Sequence, residues 1–175
     1  MPANNSKSST ARLAESEQAS RASPTTLCVP TNLLRAARAT TRLYDKALAP
    51  VELTVTQFAI LSGIARASDI ATMDLACRLS LERTTLYRAL AVLERRDLIK
   101  SRPGRGREQI LSLTQAGAAL RQAAIPLWRQ VQDIFIGEFG DGWEEMLNHA
   151  RRACAAAESG IESKALKRND DAGQG

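Results

Sequence analysis

After Arg96 the chain changes its period. Up to that point apolar residues recur every three or four positions. Two short runs then follow, 98–101 and 109–113, separated by Arg-Pro-Gly-Arg-Gly-Arg-Glu at 102–108. In the second run Leu111 and Leu113 share one side, and Ile110 and Ser112 the other, as alternation in a strand requires. Pro103, Gly104 and Gly106 are turn residues. The segment reads as a β-hairpin with arginines at its tip, the one such feature in a chain otherwise of helical period. The fold class that follows is mainly α with a small β-hairpin.

The helices before the hairpin can be bounded from their residues. A first helix follows Pro30, with Leu33, Leu34, Ala37, Tyr44, Ala47 and Leu48 at helical spacing, and Pro50 stops it. Thr54 and Gln57 form a T-x-x-Q capping box, with Leu53 and Phe58 at the positions of a hydrophobic staple. That helix should reach about Arg66 and bury Phe58, Leu61 and Ile64 or Ala65. A short helix over 72–78 turns Leu75 and Leu79 inward. A fourth begins near Ser80, read as its N-cap, and ends near Arg96. At 100° per residue, Leu86, Ala89, Leu90 and Leu93 fall on one face, and Thr84, Arg88, Ala91 and Arg95 on the opposite one. Small and hydroxyl side chains alternate there with arginine, which lets the helix approach another surface closely.

Beyond the hairpin, Thr114 caps a long helix to about Ile136, expected to bend or break near Pro126. Asp141 and Glu144 form a second capping-box-like pair. The last helix carries Trp143, Met146, Leu147, Ala150, Cys154 and Ala157 on an apolar stripe. A small domain has limited room to bury both terminal helices, so a second copy is the expected partner. Residues 1–26 and 160–175 are polar and without sustained period, and read as a disordered arm and tail. The folded part is then 27–159.

The charge is concentrated. The net charge is +5 over 175 residues. Between Leu75 and Arg107 stand Arg78, Arg83, Arg88, Arg95, Arg96, Lys100, Arg102, Arg105 and Arg107, against Glu82, Glu94 and Asp97. That window alone is +6 and the remainder −1. A basic stripe confined to one stretch is the footprint of a phosphate-binding surface.

Other classes are excluded by what is scarce. The longest runs without a charged residue, 22–34 and 53–65, are 13 residues each, short of the roughly 18–20 apolar residues of a membrane helix. No secretory h-region stands at the N-terminus, and a cytoplasmic location is the expectation. Cys28, Cys77 and Cys154 form no C-x-x-C, which argues against a disulfide framework or zinc knuckle. Cys77 and Cys154 fall near apolar faces and read as core. The single His149 has no partner at ligand spacing, and Trp128 and Trp143 read as packing. No nucleophile–base pair, glycine-rich phosphate loop or supported carboxylate dyad is visible, so neither catalysis nor a cofactor is expected.

Helix, short helix, helix and basic hairpin, in that order, form a helix-turn-helix with a wing. An exposed helix face can enter the major groove, where Arg pairs with guanine and Thr meets thymine methyls. The blocks L-T-V-T-Q-F-A-I-L (53–61), L-x-R-T-T-L-Y-R-A-L-x-x-L-E-R-R-D-L-I (81–99) and L-S-L-T-Q-A-G (111–117) resemble the MarR family of bacterial winged-helix regulators. The resemblance spans about 27–157. It implies a homodimer held by its first and last helices, about 27–50 and 114–159. A DNA-binding part at about 53–113 would engage a pseudo-palindromic double-stranded operator, and a small, often phenolic effector would release it. The fourth helix would be the recognition helix and 102–107 the wing.

The candidate DNA-contacting residues are Ser80, Thr84, Thr85, Arg88, Arg95, Arg102, Arg105 and Arg107. Arg105 stands where the family wing commonly has aspartate, which puts an internal Asp–Arg pairing of the wing in question. Two alternatives share these features. A basic architectural protein would bind DNA without sequence preference and has no need of Thr84, Thr85 and Ala91 on an approachable face. A redox-sensing regulator would act through Cys28. However, Cys28 lies about two residues earlier than the reactive cysteine of the family's peroxide-sensing branch, and Val55 replaces that branch's tyrosine. A small apolar filler is the expected role for Cys28.

Overall fold

The computed structural model describes residues 28–106 and 108–158. The arm and tail expected at 1–26 and 160–175 lie outside the described residues, as does Arg107. The chain divides into two compact units between Trp128 and Arg129.

The first unit opens with α1, Val29–Leu48, which has Pro30 in its first turn, where a missing N–H costs nothing. Only Tyr44 and Leu48 of α1 are buried. Burial pushes the Tyr44 phenol above its ordinary pKa. A 3-10 turn, Ala49–Val51, carries the chain to Glu52 in the left-handed region. Helix α2, Val55–Ala67, starts with the expected box. Gln57 N–H donates to Thr54 Oγ1 at 3.2 Å, and Thr54 N–H to Gln57 Oε1 at 2.9 Å. Leu53 and Phe58, the staple pair, are both buried. A carboxylate adds a further cap: Val55 N–H donates to Asp45 Oδ1 of α1 at 2.7 Å.

Helix α2 buries Ile60 as fully as Leu61 and Ile64, which a one-face reading omitted. The reason is its position: it packs against α1, α3, α4 and β3, and a helix enclosed on several sides is apolar on several sides.

Strand β1, Ile70–Ala71, leads into α3, Thr72–Leu79, and α4, Arg83–Arg95, follows. Ser80 does not cap α4. It closes α3, at φ 48°, ψ 43°, with its N–H directed to the Ala76 and Cys77 carbonyls, while Leu81 N–H reaches the Ala76 carbonyl at 3.0 Å. This is the Schellman pattern of a helix C-terminus. Glu82 takes the N-cap position of α4 without a side-chain capping bond. Helix α4 closes in the same way, with Asp97 at φ 52° and Leu98 N–H on the Leu93 carbonyl at 2.9 Å.

Strands β2, Ile99–Pro103, and β3, Gln109–Leu113, form the expected hairpin, with Ser101 opposite Leu111 and Arg102 opposite Ile110. Strand β1 adds to the far edge of β3, giving the antiparallel order β1-β3-β2. Leu111 and Ile99 face the core, where they join Leu48, Leu61, Ile64, Leu75, Leu86 and Leu93.

Helix α5, Gln115–Phe139, runs unbroken through Pro126, so the interruption expected there does not occur. Pro126 and Gln122 are both exposed, so the carbonyl left without a partner by the missing N–H can be met by water. Thr114 caps α5 as read: Gly117 N–H donates to Thr114 Oγ1 at 2.9 Å, and that hydroxyl donates to the Asp97 carbonyl at 2.7 Å. The Phe58 and Trp128 rings pack with centroids 6.1 Å apart.

In the second unit, a 3-10 turn, Gly140–Gly142, precedes α6, Trp143–Glu158. Asp141 lies in that turn and not at a cap, so the Asp141–Glu144 box is not formed. Cys77 and Cys154 are exposed, contrary to their reading as core. Cys154 stays on the stripe of α6, but no described residue of that stripe is buried within the single chain. No single helix among the described residues is long and apolar enough to cross a membrane.

Candidate nucleic-acid interface

Helix α4 is anchored by Leu86, Leu90 and Leu93, which are 0%, 4% and 0% exposed. With these three fixed in the core, helical geometry turns the opposite face outward. Thr84, Thr85, Arg88, Ala91 and Arg95 are all exposed. Among the described residues, Arg83, Arg88 and Arg95 enter no ion pair, because the pairs there are Arg96–Glu52 and Arg102–Asp69. Charge that is not neutralised within the protein remains available to phosphate. Tyr87, half exposed on the flank of this face, was not singled out from the sequence, where it reads as one more helical residue.

The basic residues fall into two groups. Arg96 serves the fold: its Nη1 donates to the Glu52 carbonyl at 2.6 Å, and its Nη2 stands 3.7 Å from Glu52 Oε2. Arg95, one residue earlier, points outward. In the hairpin, Gly104 N–H donates to the Glu108 carbonyl at 2.9 Å, and Glu108 N–H to the Arg105 carbonyl at 3.2 Å. Arg105 is exposed between Gly104 and Gly106. Gly106 holds φ 63°, a value that glycine adopts without strain. Arg102 lies near the tip end of β2, opposite Ile110, with Nη2 3.0 Å from Asp69 Oδ2. Ser80 sits exposed in the turn between α3 and α4. The described candidates thus lie on two structures, α4 with its preceding turn and the hairpin, that share one core.

Cys28 stands at the N-cap of α1. The Thr31 hydroxyl, and then its backbone N–H, hold the Cys28 thiol below its ordinary pKa. Among the described residues no cluster of His, Cys, Asp and Glu has the form of a metal site. Trp143 borders an open hollow of about 450 Å³ in the second unit, with Ile136, Asp141 and Glu144.

The sequence model of the MarR family matches residues 53–105, the span from α2 to the hairpin tip. The M. tuberculosis transcriptional regulator MosR, solved in complex with DNA, is 38% identical. The match covers 75% of this chain and 97% of MosR, with a TM-score of 0.70. The chain belongs to the MarR family. PcaV of Streptomyces coelicolor, solved with its natural ligand, shares the fold at 21% identity and a TM-score of 0.71, covering 78% of this chain and 98% of PcaV. The HTH-type transcriptional repressor NicR of Pseudomonas putida is 27% identical over 104 residues, 58% of this chain; the match spans 66% of NicR's length. MarR-family relatives are transcriptional regulators and not enzymes, and this chain shares their winged-helix fold, with the β2–β3 hairpin as the wing.

Proposed function

We propose that this MarR-family chain is a homodimeric repressor that binds a pseudo-palindromic DNA operator and responds to a small aromatic effector. Helix α4 reads bases through Thr84, Thr85 and Arg88, with Ser80 and Arg95 at its two ends on phosphate. Arg102, Arg105 and Arg107 of the wing meet phosphate or the minor groove. The observation that carries this reading is the outward face of α4: small, hydroxyl and arginine side chains, without ion pairs among the described residues, on a helix whose other face is locked by three core leucines. Side chains of that kind suit the major groove. MosR bound to DNA and NicR named as a repressor support it. The effector rests on the family resemblance, with PcaV and its ligand as a structural parallel.

The test is binding to duplex from the region upstream of the chain's own gene, and to a scrambled duplex, across a salt series. A strong preference for the upstream duplex is expected, since specific binding in such proteins exceeds non-specific by about 10³–10⁷. Equal affinity for the two would replace this reading with that of an architectural protein.

A further inference from the structure

Helix α2 ends in an uncommon turn. Ser68 holds φ 65°, ψ −54°, and Asp69 N–H donates to the Ala67 carbonyl at 2.8 Å. This is a γ-turn of the rare, strained hand, at a residue that is not glycine. Strain of this kind persists only where the surroundings over-determine it. The turn delivers Asp69 to the start of β1, whose residues pair as Ile70↔Leu111 and Ala71↔Ile110. On the other side of β3, Arg102 also pairs with Ile110. Alternation places Asp69, Ala71, Ile110 and Arg102 on one face of the sheet and the core residues Ile70, Leu111 and Ile99 on the other. Asp69 immediately precedes one outer strand and Arg102 lies in the other, yet their side chains meet at 3.0 Å across β3, and remain 52% and 60% exposed.

An exposed pair of this kind contributes little to folding. Its effect is geometric. Arg102 would otherwise carry a freely rotating side chain, and ordering it on DNA would reduce the affinity gained. Held by one amino group at Asp69, the guanidinium keeps further donors of its fork for a second acceptor. The hairpin itself contains one acid, Glu108, between 102 and 108; the acid that steadies Arg102 comes from the end of α2. Repulsion between Asp69 and phosphate opposes this, but in the pair the carboxylate charge is offset by the arginine.

We propose that Asp69 is a positioning residue that holds Arg102 to clamp a DNA phosphate, so that the strained turn after α2 sets the grip of the wing. This rests on the reading of Arg102 as a wing contact given above. The test uses the full chain and compares wild type, D69A, D69E, R102A and D69A/R102A on a mixed-sequence duplex and on the upstream duplex, across a salt series. D69A is expected to weaken both complexes about three- to tenfold and to lower the salt slope by roughly one unit. D69E, which keeps the carboxylate, should recover part of the loss. The double variant should bind no more weakly than R102A. A structural role alone would leave the slope unchanged. The inference is overturned if D69A tightens binding, leaves the slope as in wild type, or multiplies with R102A. If R102A weakens binding and D69A does not, the positioning role fails and the wing contact stands. If R102A changes neither affinity nor slope, both fail.

Discussion

Arg88 and Arg105 carry the same charge in different settings, and the difference predicts how each fails. Arg88 projects from a helix fixed by Leu86 and Leu90, rigid enough to hold a bidentate contact with a base. Arg88→Ala is expected to cost about 1–3 kcal/mol on the operator, with a much smaller loss on scrambled DNA. Arg105 stands between two glycines on the hairpin tip, where a point charge can serve phosphate but orientation is poorly held. Arg105→Ala should weaken both duplexes by similar factors and flatten the salt dependence by roughly one unit. Binding of both variants across a salt series checks the pair, and an Arg88→Ala loss equal on both duplexes would contradict the assignment. Both arginines are exposed, so melting temperatures should hardly move. Cys28 yields a different expectation. Thr31 stabilises its thiolate, so the pKa is lowered, and the reactive form should be present at lower pH than in an ordinary cysteine. In a background of Cys77→Ser and Cys154→Ser, iodoacetamide should label Cys28 with a pH midpoint below that of a free thiol. Thr31→Ala should move the midpoint up; no movement would exclude the Thr31 hydroxyl as the cause.

Elements were legible in proportion to how local their determinants are. The box at Thr54 and Gln57 is three residues wide, and it forms as read. The inner face of α4 follows from its period alone. Ser80 was misplaced because the same residue can close one helix or open the next. The choice is settled by Leu81 reaching back to the Ala76 carbonyl, which no local pattern announces. Strand β1 is two residues long, too short to show a period, and exists only through its pairing with β3. For the same reason the Asp69–Arg102 contact, 33 residues apart in the chain, was invisible beforehand. The bond from Val55 N–H to Asp45 of α1 and the contact of Arg96 with Glu52 are likewise tertiary. One motif residue gains its explanation from the fold: Gly117, in L-S-L-T-Q-A-G. A methyl group there would overlap the Leu98 carbonyl oxygen, and that oxygen also accepts the Thr114 N–H at 3.2 Å. Neither backbone can withdraw without loosening the junction of α4, β2 and α5. Gly117→Ala, although favourable for helix propensity, should therefore destabilise by about 1–3 kcal/mol, as overpacking does. Urea denaturation checks this, and a variant as stable as wild type would show that the junction has slack.

At the scale of the whole molecule, four large apolar residues of α1 have no use within one copy. Tyr44 and Leu48 anchor its end, whereas Val29, Leu33, Leu34 and Leu43 are exposed. Single exposed leucines are ordinary, but four large apolar residues along one helix of a monomer call for a partner. The sequence already pointed this way, since the stripe on α1 is visible in its spacing; what it could not show is that the fold leaves Leu33, Leu34 and Ala37 of that stripe uncovered. A second copy is the occupant we expect, and it would also present two α4 helices to the two halves of an operator. Leu33 and Leu34 are the residues to change, because glutamate at an exposed helical position leaves the fold of the single chain intact. Wild type should sediment at about twice the 19.0 kDa chain mass. Leu33→Glu combined with Leu34→Glu should sediment as a monomer with unchanged helical content by circular dichroism. Each half-site would then bind alone, and loss of the linked second contact should weaken operator binding by about 10²–10⁴, with a far smaller effect on short single half-sites. A double variant that still sediments as a dimer would show that α1 is not in the interface, and a monomer that keeps full operator affinity would show that one copy suffices to read it.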